Sequence, residues 1–422
     1  MIPLRLEEVA GLCPGRLEAA PKAEAVSGVQ IDSRRISEGD LFVAVGRGVD
    51  FVQDALARGA AAALVSDDPF QALAALGHAV RARSSARVVG ITGSVGKTST
   101  KDILAALCAP RFRTVAAEAS YNNELGVPLT LCRLEPETDV CIVELSMRGL
   151  GQIAYLAACA RPDIGVVTAV GPAHLELVGA VDDVVRAKGE LLEALPPGAS
   201  AIVPEGFPIG RDDLEVVRFG EPEARIVNGR TVIRFEGREV EFGFSARHQA
   251  RNALAALHAA GALGVRVEGS VEVVFSPWRG EEIELPGGGL LINDAYNANP
   301  TSMRAALEHL VERAGGRRTV AVLGEMVELG PAAPAYHSEI GRAIRELGID
   351  VLFAVGPLAE RYLEAELQQM WWSEDVRLDA LVEAVSAELD PGDCVLVKAS
   401  RAIGLEQVVD ELEAVSAPWS VS

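Results

Sequence analysis

A chain of 422 residues, 49% hydrophobic but only 5% aromatic, has the length and aliphatic content for two to four layered domains. Its net charge of −21 argues against nucleic acid or an anionic membrane surface as the main partner, so a phosphate ligand would need local sites and a divalent metal. No run of about 18 apolar residues is present to span a membrane, and Met1-Ile-Pro-Leu-Arg-Leu-Glu-Glu lacks the basic and apolar regions of a signal peptide, so a cytoplasmic location is expected.

Residues 1–84 predict a small α/β domain. Strands are expected over 26–31 and 61–65, a turn plus strand over 39–45, and a helix over 51–58. Asp32-Ser33-Arg34 follows the first strand. Ser33 and Arg34 offer a hydroxyl and a guanidinium to a phosphate or nucleotide, although an ordinary polar turn accounts for them equally well. Six cysteines (13, 108, 132, 141, 159 and 394) form no C-x-x-C pair and read as buried free thiols. Only five lysines (22, 97, 101, 188 and 398) stand among abundant arginine. Where a generic cation suffices such a chain can use arginine, so each lysine asks for a specific reason.

A second domain is expected over 85–281. Val88, Val89 and Ile91 form a short apolar strand, Gly93-Ser94-Val95-Gly96 a tight loop, and Lys97-Thr98-Ser99-Thr100 the start of a helix through Leu107. Backbone N–H groups at such a helix start make an anion cradle. Lysine there reaches the β- and γ-phosphates, and the Thr98 hydroxyl serves Mg²⁺. The strict pattern G-x-x-x-x-G-K-[ST] wants glycine at Ile91, whereas the first glycine is Gly90.

Downstream, Asn122 and Asn123 sit in a polar loop that enters a helix, suited either to a polar substrate or to capping. The run 140–145 reads as a central parallel strand, with Glu144 at the carboxyl end where open sheets place their ligand crevice. A strand over 164–170 precedes His174, and a helix over 181–195 carries Lys188. The alternating segment 221–244 predicts an antiparallel meander appended to that sheet. Helix 247–263 carries Asn252, and Pro277-Trp278-Arg279-Gly280 marks a hinge.

Residues 282–422 alternate strand and helix as a doubly wound, Rossmann-like domain without the G-x-G-x-x-G fingerprint. Strands are expected over 290–295, 319–323, 351–355 and 394–398, and helices over 301–313, 338–347, 358–368 and 379–389. Asp294, Tyr296, Asn297, Asn299, Glu325, Lys398 and Ser400 gather at strand ends.

Together these residues resemble the Mur ligase family over nearly the whole chain. The resemblance rests on the loop Gly90–Thr98, Tyr121–Thr130, Ala173-His-Leu-Glu176, Asp294–Pro300, Leu323–Gly330 and Lys398-Ala-Ser-Arg401. Within the family it points to the branch that adds D-Ala-D-Ala to UDP-N-acetylmuramoyl-tripeptide in cytoplasmic peptidoglycan precursor synthesis. A D-N-P-R-type acceptor motif, expected of the amino-acid-adding branch, is absent.

The resemblance implies an α/β, three-domain architecture: UDP-sugar-binding (1–84), ATP-binding with a parallel sheet (85–281) and Rossmann-like acceptor-binding (282–422). It implies ATP as co-substrate, held by Gly93 to Ser99 with Asn252, Arg279 and Asp294. Two Mg²⁺ ions would rest on Thr98, Glu144, His174 and Lys188, with Lys188 a candidate for carbamylation. Lys97, Glu144, His174 and Lys188 would carry the catalysis. Ser33, Arg34, Asn122, Asn123, Tyr296, Asn297 and Asn299 would contact the substrates, and a monomer is expected. Two positions depart from the family pattern: Ser146 after Glu144-Leu145, and Gln249 after His248. Competing readings are an amino-acid-adding Mur ligase, a folylpolyglutamate-synthetase-like ligase, and a phosphate-loop kinase or NTPase switch.

Overall fold

The protein, seen as a computed structural model, is described for residues 1–416 with the exception of His174. The chain packs into two compact units. Met1–Ala169, Val185–Ser245 and Gln249–Val274 form one; Val170–Val184, Ala246–His248 and the chain from Phe275 onward form the other.

The first unit opens with a four-stranded sheet in the order Arg16–Ala19, Ala62–Val65, Asp40–Val43, Gly28–Gln30, parallel except for its first member. The single strand expected over 26–31 is two. Ala25–Val26 pairs with Leu4–Arg5, and Gly28–Gln30 pairs with Asp40–Val43. The change of partner occurs at Ser27, whose N–H bonds to the Gly39 carbonyl. Helix Pro69–Arg83, unassigned from sequence, begins where the Asp68 carboxylate accepts from Gln71 N–H. It packs so tightly on helix Gly126–Leu131 that a Cβ at Gly77 would lie 2.9 Å from the Pro128 Cα.

The central sheet is wholly parallel, in the order Glu215–Phe219, Ser200–Pro204, Ile164–Val167, Arg87–Thr92, Val140–Glu144, Thr114–Ala116. Its inner strands are buried throughout their apolar runs, as expected of strands covered on both faces. From strand Arg87–Thr92 the chain runs through Thr114–Ala116 and Val140–Glu144 on one side, then crosses to Ile164–Val167 on the other. That is a topological switch point, and such sheets open a ligand crevice there, beyond the strands' carboxyl ends.

The meander does not extend this sheet. Ala224–Val227, Arg230–Phe235 and Arg238–Phe242 form their own antiparallel ladder, and Gly269–Val271 pairs parallel with the last of them. The outer edge of the ribbon is thus satisfied by a returning strand, not by the parallel sheet.

The second unit holds a six-stranded sheet in the order Glu281–Leu285, Gly289–Asn293, Cys394–Lys398, Thr319–Gly324, Val351–Val355, Gln369–Ser373, with only the first strand antiparallel. Successive strand residues feed opposite layers. Ala321 and Leu323 join Met303, Leu307, Ile340 and Ile344 on one face. Val320 and Val322 join Leu381, Val385, Val408 and Leu412 on the other. Helices on both faces make the sheet doubly wound, as expected. The helix expected over 358–368 is a 3₁₀ segment, Leu358–Ala365. All six cysteines are buried and unbridged, and burial raises the Cys141 thiol to about 12. Among the described residues no helix is long and apolar enough to cross a membrane.

Candidate active site

The loop after Arg87–Thr92 is shaped by two glycines. Gly96 (φ +82°) starts helix Lys97–Cys108, and a Cβ there would lie 2.1 Å from the Asn252 Oδ1. A Cβ at Gly93 would lie 2.0 Å from the Thr168 Oγ1. Ile91, where the strict pattern wants glycine, is a fully buried strand residue, so the turn begins later. Ser94 N–H bonds to the Ala169 carbonyl and Thr168 Oγ1 donates to the Val95 carbonyl, which fix the loop from the neighbouring strand. The Lys97 ammonium folds back to the Gly93 carbonyl at 2.7 Å. Ser99 is buried one residue beyond Thr98.

Beneath the loop, Glu144 ends its strand with 1% of its surface exposed. One carboxylate oxygen accepts from the Thr98 hydroxyl at 2.9 Å, and the other from the Asn122 amide at 2.8 Å. Ser146 holds Asn122 in turn, donating to its side-chain and backbone oxygens at 2.9 and 3.0 Å. Asn123 does something different: its side chain accepts from Leu125 and Gly126 N–H and caps helix Gly126–Leu131. Asn252, close over Gly96, donates to the buried Gln249 at 2.9 Å.

Lys188 is 1% exposed, and its Nζ has no hydrogen-bond partner among the described residues. Burial holds its pKa well below the ordinary lysine value. The charge of Lys97 adds to the effect, and Glu144 and Glu190 partly oppose it. Glu190 itself accepts from Gly151 and Ala154 N–H at the start of helix Gln152–Ala160. A buried, unpartnered amine is costly and calls for a partner. A carboxylate, a hydroxyl and a carboxamide grouped beside it are the hard oxygen donors that Mg²⁺ selects. His174 lies outside the described residues.

The first unit also contains a cavity of about 990 Å³, lined by Ser33, Arg34, Arg35, Arg47, Tyr121 and Arg133 among others. Arg34 pairs with Asp32 at 2.7 Å and holds that carboxyl down at about 2. Arg35 meets Glu118 at 3.0 Å, and Arg133 meets it at 3.4 Å. Arg47 and Arg133 come from segments remote from Arg34 and Arg35, and of the four sequence reasoning found Arg34 alone.

In the second unit Lys398, 2% exposed, donates to Asp294 at 2.6 Å and to the Asn297 carbonyl at 2.8 Å. Burial lowers its pKa, and Asp294 works against that shift. The Arg279 guanidinium stacks 3.8 Å over the Tyr296 ring. Asn299 caps helix Pro300–Ala314, its side chain accepting from Ser302 N–H.

Two family descriptions match the chain: the Mur ligase middle domain over residues 91–260, and the Mur ligase, glutamate ligase domain over residues 278–401. A UDP-N-acetylmuramoyl-tripeptide–D-alanyl-D-alanine ligase of Synechocystis sp. is 34% identical, with 92% of each chain covered. MurF from Acinetobacter baumannii superposes with a TM-score of 0.83 at 27% identity, over 98% of this chain and 99% of that one. The MurF ligase of Thermotoga maritima in complex with ADP gives a TM-score of 0.77 at 28% identity, over 92% and 99%. With similarity running through both of its units, the chain belongs to the Mur ligase family.

Proposed function

We propose that the chain is an ATP-dependent amide ligase of the cytoplasm, acting as a monomer, that joins D-Ala-D-Ala to UDP-N-acetylmuramoyl-tripeptide during peptidoglycan precursor synthesis. The observation that carries this is Glu144, buried under a glycine loop and gripped by Thr98 and Asn122, with the orphan amine of Lys188 as an electrostatic neighbour. The Synechocystis relative supports the choice of donor and acceptor, and the ADP complex supports ATP as co-substrate.

The donor's terminal carboxylate oxygen attacks the γ-phosphorus, and the bond to the bridging oxygen breaks to release ADP. The acceptor amine then attacks the acyl carbon of the acyl phosphate, and phosphate leaves from the tetrahedral intermediate. Several anions must meet, so charge neutralisation and positioning supply most of the rate. Lys97 and the amides of the Gly93 to Ser99 loop, apart from the Ser94 N–H that bonds to Ala169, receive the phosphates, and Asn252 takes the adenine side. Mg²⁺ held by Thr98 and Glu144, with a second ion at His174 and Lys188, would neutralise phosphate charge. Lys188 as a free amine can bond to the carbon of CO₂, lose a proton and become an anionic carbamate. Arginine could not do this.

We assign the 990 Å³ cavity, with Ser33 and Arg34, to the UDP-sugar end of the donor. On the second unit we assign Arg279 and Asp294 to the nucleotide, and Tyr296 and Asn297 to the acceptor.

ADP release that requires donor and D-Ala-D-Ala together is the expected result of a coupled assay; release with ATP alone would favour an NTPase switch. Glu144→Ala is expected to raise the Mg²⁺ concentration for half-maximal ligation by about tenfold or more. An unchanged Mg²⁺ titration would remove Glu144 from the metal site.

A further inference from the structure

Two buried lysines, Lys101 and Lys398, are not used by this chemistry, and the first sits on the phosphate-loop helix. Lys101 lies one helical turn beyond Lys97 and is 2% exposed. Its ammonium meets the carbonyls of Ala117 and Ala119 at 2.8 and 2.9 Å, and the Asp102 carboxylate at 2.8 Å. The two carbonyls flank Glu118, which faces Arg35 and Arg133 in the cavity wall. Ala119 is held at φ +45°, a conformation that disfavours any residue with a Cβ.

The next residues reach both sites. Ser120 Oγ is 3.3 Å from the Thr98 hydroxyl, Tyr121 lines the cavity, and Asn122 bonds to Glu144. We propose that Lys101 is a positioning residue that locks the 117–122 segment onto the phosphate-loop helix and so sets the donor cavity and the Thr98–Glu144 site in one register. A compact ammonium can aim three donors at three converging oxygens, which a planar guanidinium cannot. That explains a lysine here in an arginine-rich chain. The inference rests on the ligase reading of the site.

The test uses Lys101→Met and Lys101→Gln in the full chain, each with and without Ala119→Gly. Ligation kinetics, the Mg²⁺ titration, ADP affinity measured without metal, and the melting temperature are the readouts. The expected result is a kcat at least tenfold lower, with donor KM and Mg²⁺ half-saturation both raised several-fold and ADP affinity within twofold of wild type. Ala119→Gly alone should be nearly silent, since glycine takes φ +45° freely. Added to Lys101→Met, it should restore part of the lost kcat, because the segment no longer needs the ammonium to hold a strained alanine.

Three results would overturn the inference: a folded Lys101→Met enzyme with wild-type donor KM and Mg²⁺ titration; a lowered melting temperature with no rescue by Ala119→Gly; or failure of every Lys101 variant to fold, which would make the residue a scaffold element. A wild-type enzyme that ligates nothing would instead count against the ligase reading itself.

Discussion

Lys97→Ala is expected to lower ATP-dependent ligation by about a thousandfold, the range seen when one preorganised stabiliser of transition-state charge is removed. The Lys97 ammonium rests on the Gly93 carbonyl at 2.7 Å, at the start of helix Lys97–Cys108. When phosphate arrives, that flexible cation exchanges one oxygen partner for another without rebuilding the loop. The alanine variant leaves Gly93, Gly96 and the helix start in place, so the melting temperature should hold while kcat collapses. Residual ligation within tenfold of wild type would contradict the assigned role.

Lys188 carries the second large effect, and it should appear with opposite signs in activity and stability. Lys188→Ala is expected to cripple turnover, with partial recovery in a short-chain carboxylate such as acetate, which can stand where a carbamate would. Wild-type behaviour, or no recovery at any carboxylate concentration, would count against the carbamate. In metal-free, bicarbonate-free buffer, Lys188→Met should melt at a higher temperature than wild type at neutral pH. Burial lowers the folded-state pKa of Lys188, so the unfolded chain binds more protons over the interval between the lowered value and the ordinary one. Wild-type stability therefore rises with pH across that interval. The advantage of Lys188→Met should shrink as pH approaches about 10.4, the ordinary lysine value. A methionine variant that melts lower than wild type throughout would show that the amine has a partner in the folded chain.

Much of this site was legible because its signals are local. Strand, glycine turn, lysine and helix follow one another within a few residues, and Glu144 falls at the end of an apolar run whose burial is dictated by its neighbours. Lys188 stood out through the scarcity of lysine together with the family resemblance, since its helix pattern alone reads equally as a solvated lysine. The cavity arginines were hidden because Arg35, Arg47 and Arg133 converge only when the N-terminal strands pack beside the 117–133 segment. Asn122 and Asn123 are adjacent and chemically identical, yet one serves Glu144 and the other caps a helix. Only the direction of each side chain separates them, and sequence does not encode that locally.

The same limit applies to Asn299, a short polar residue before Pro300 that reads equally as ligand or cap and whose side chain caps its helix. Ser146 and Gln249, the two departures from the family pattern, turn out to hold Asn122 and Asn252 by hydrogen bonds. In the fold, the inner strands were plain from their apolar runs, while the edge strands Glu281–Leu285 and Gln369–Ser373 were not. The first alternates polar and apolar residues only briefly, the second (Gln-Met-Trp-Trp-Ser) does not alternate at all, and an edge needs only one buried face. Helix Pro69–Arg83 was obscured by its alanines, which blur the contrast between its faces.

Transfer of oxygen from substrate to phosphate tests the central claim most directly. Ligation would be run with the donor's terminal carboxylate labelled with ¹⁸O, and the released inorganic phosphate analysed by mass spectrometry. If that carboxylate attacks the γ-phosphorus, each product phosphate carries one oxygen from the donor and its abundance matches the amide formed. Phosphate free of label, alongside a normal yield of amide, would show that the acid end of the donor never takes the phosphoryl group.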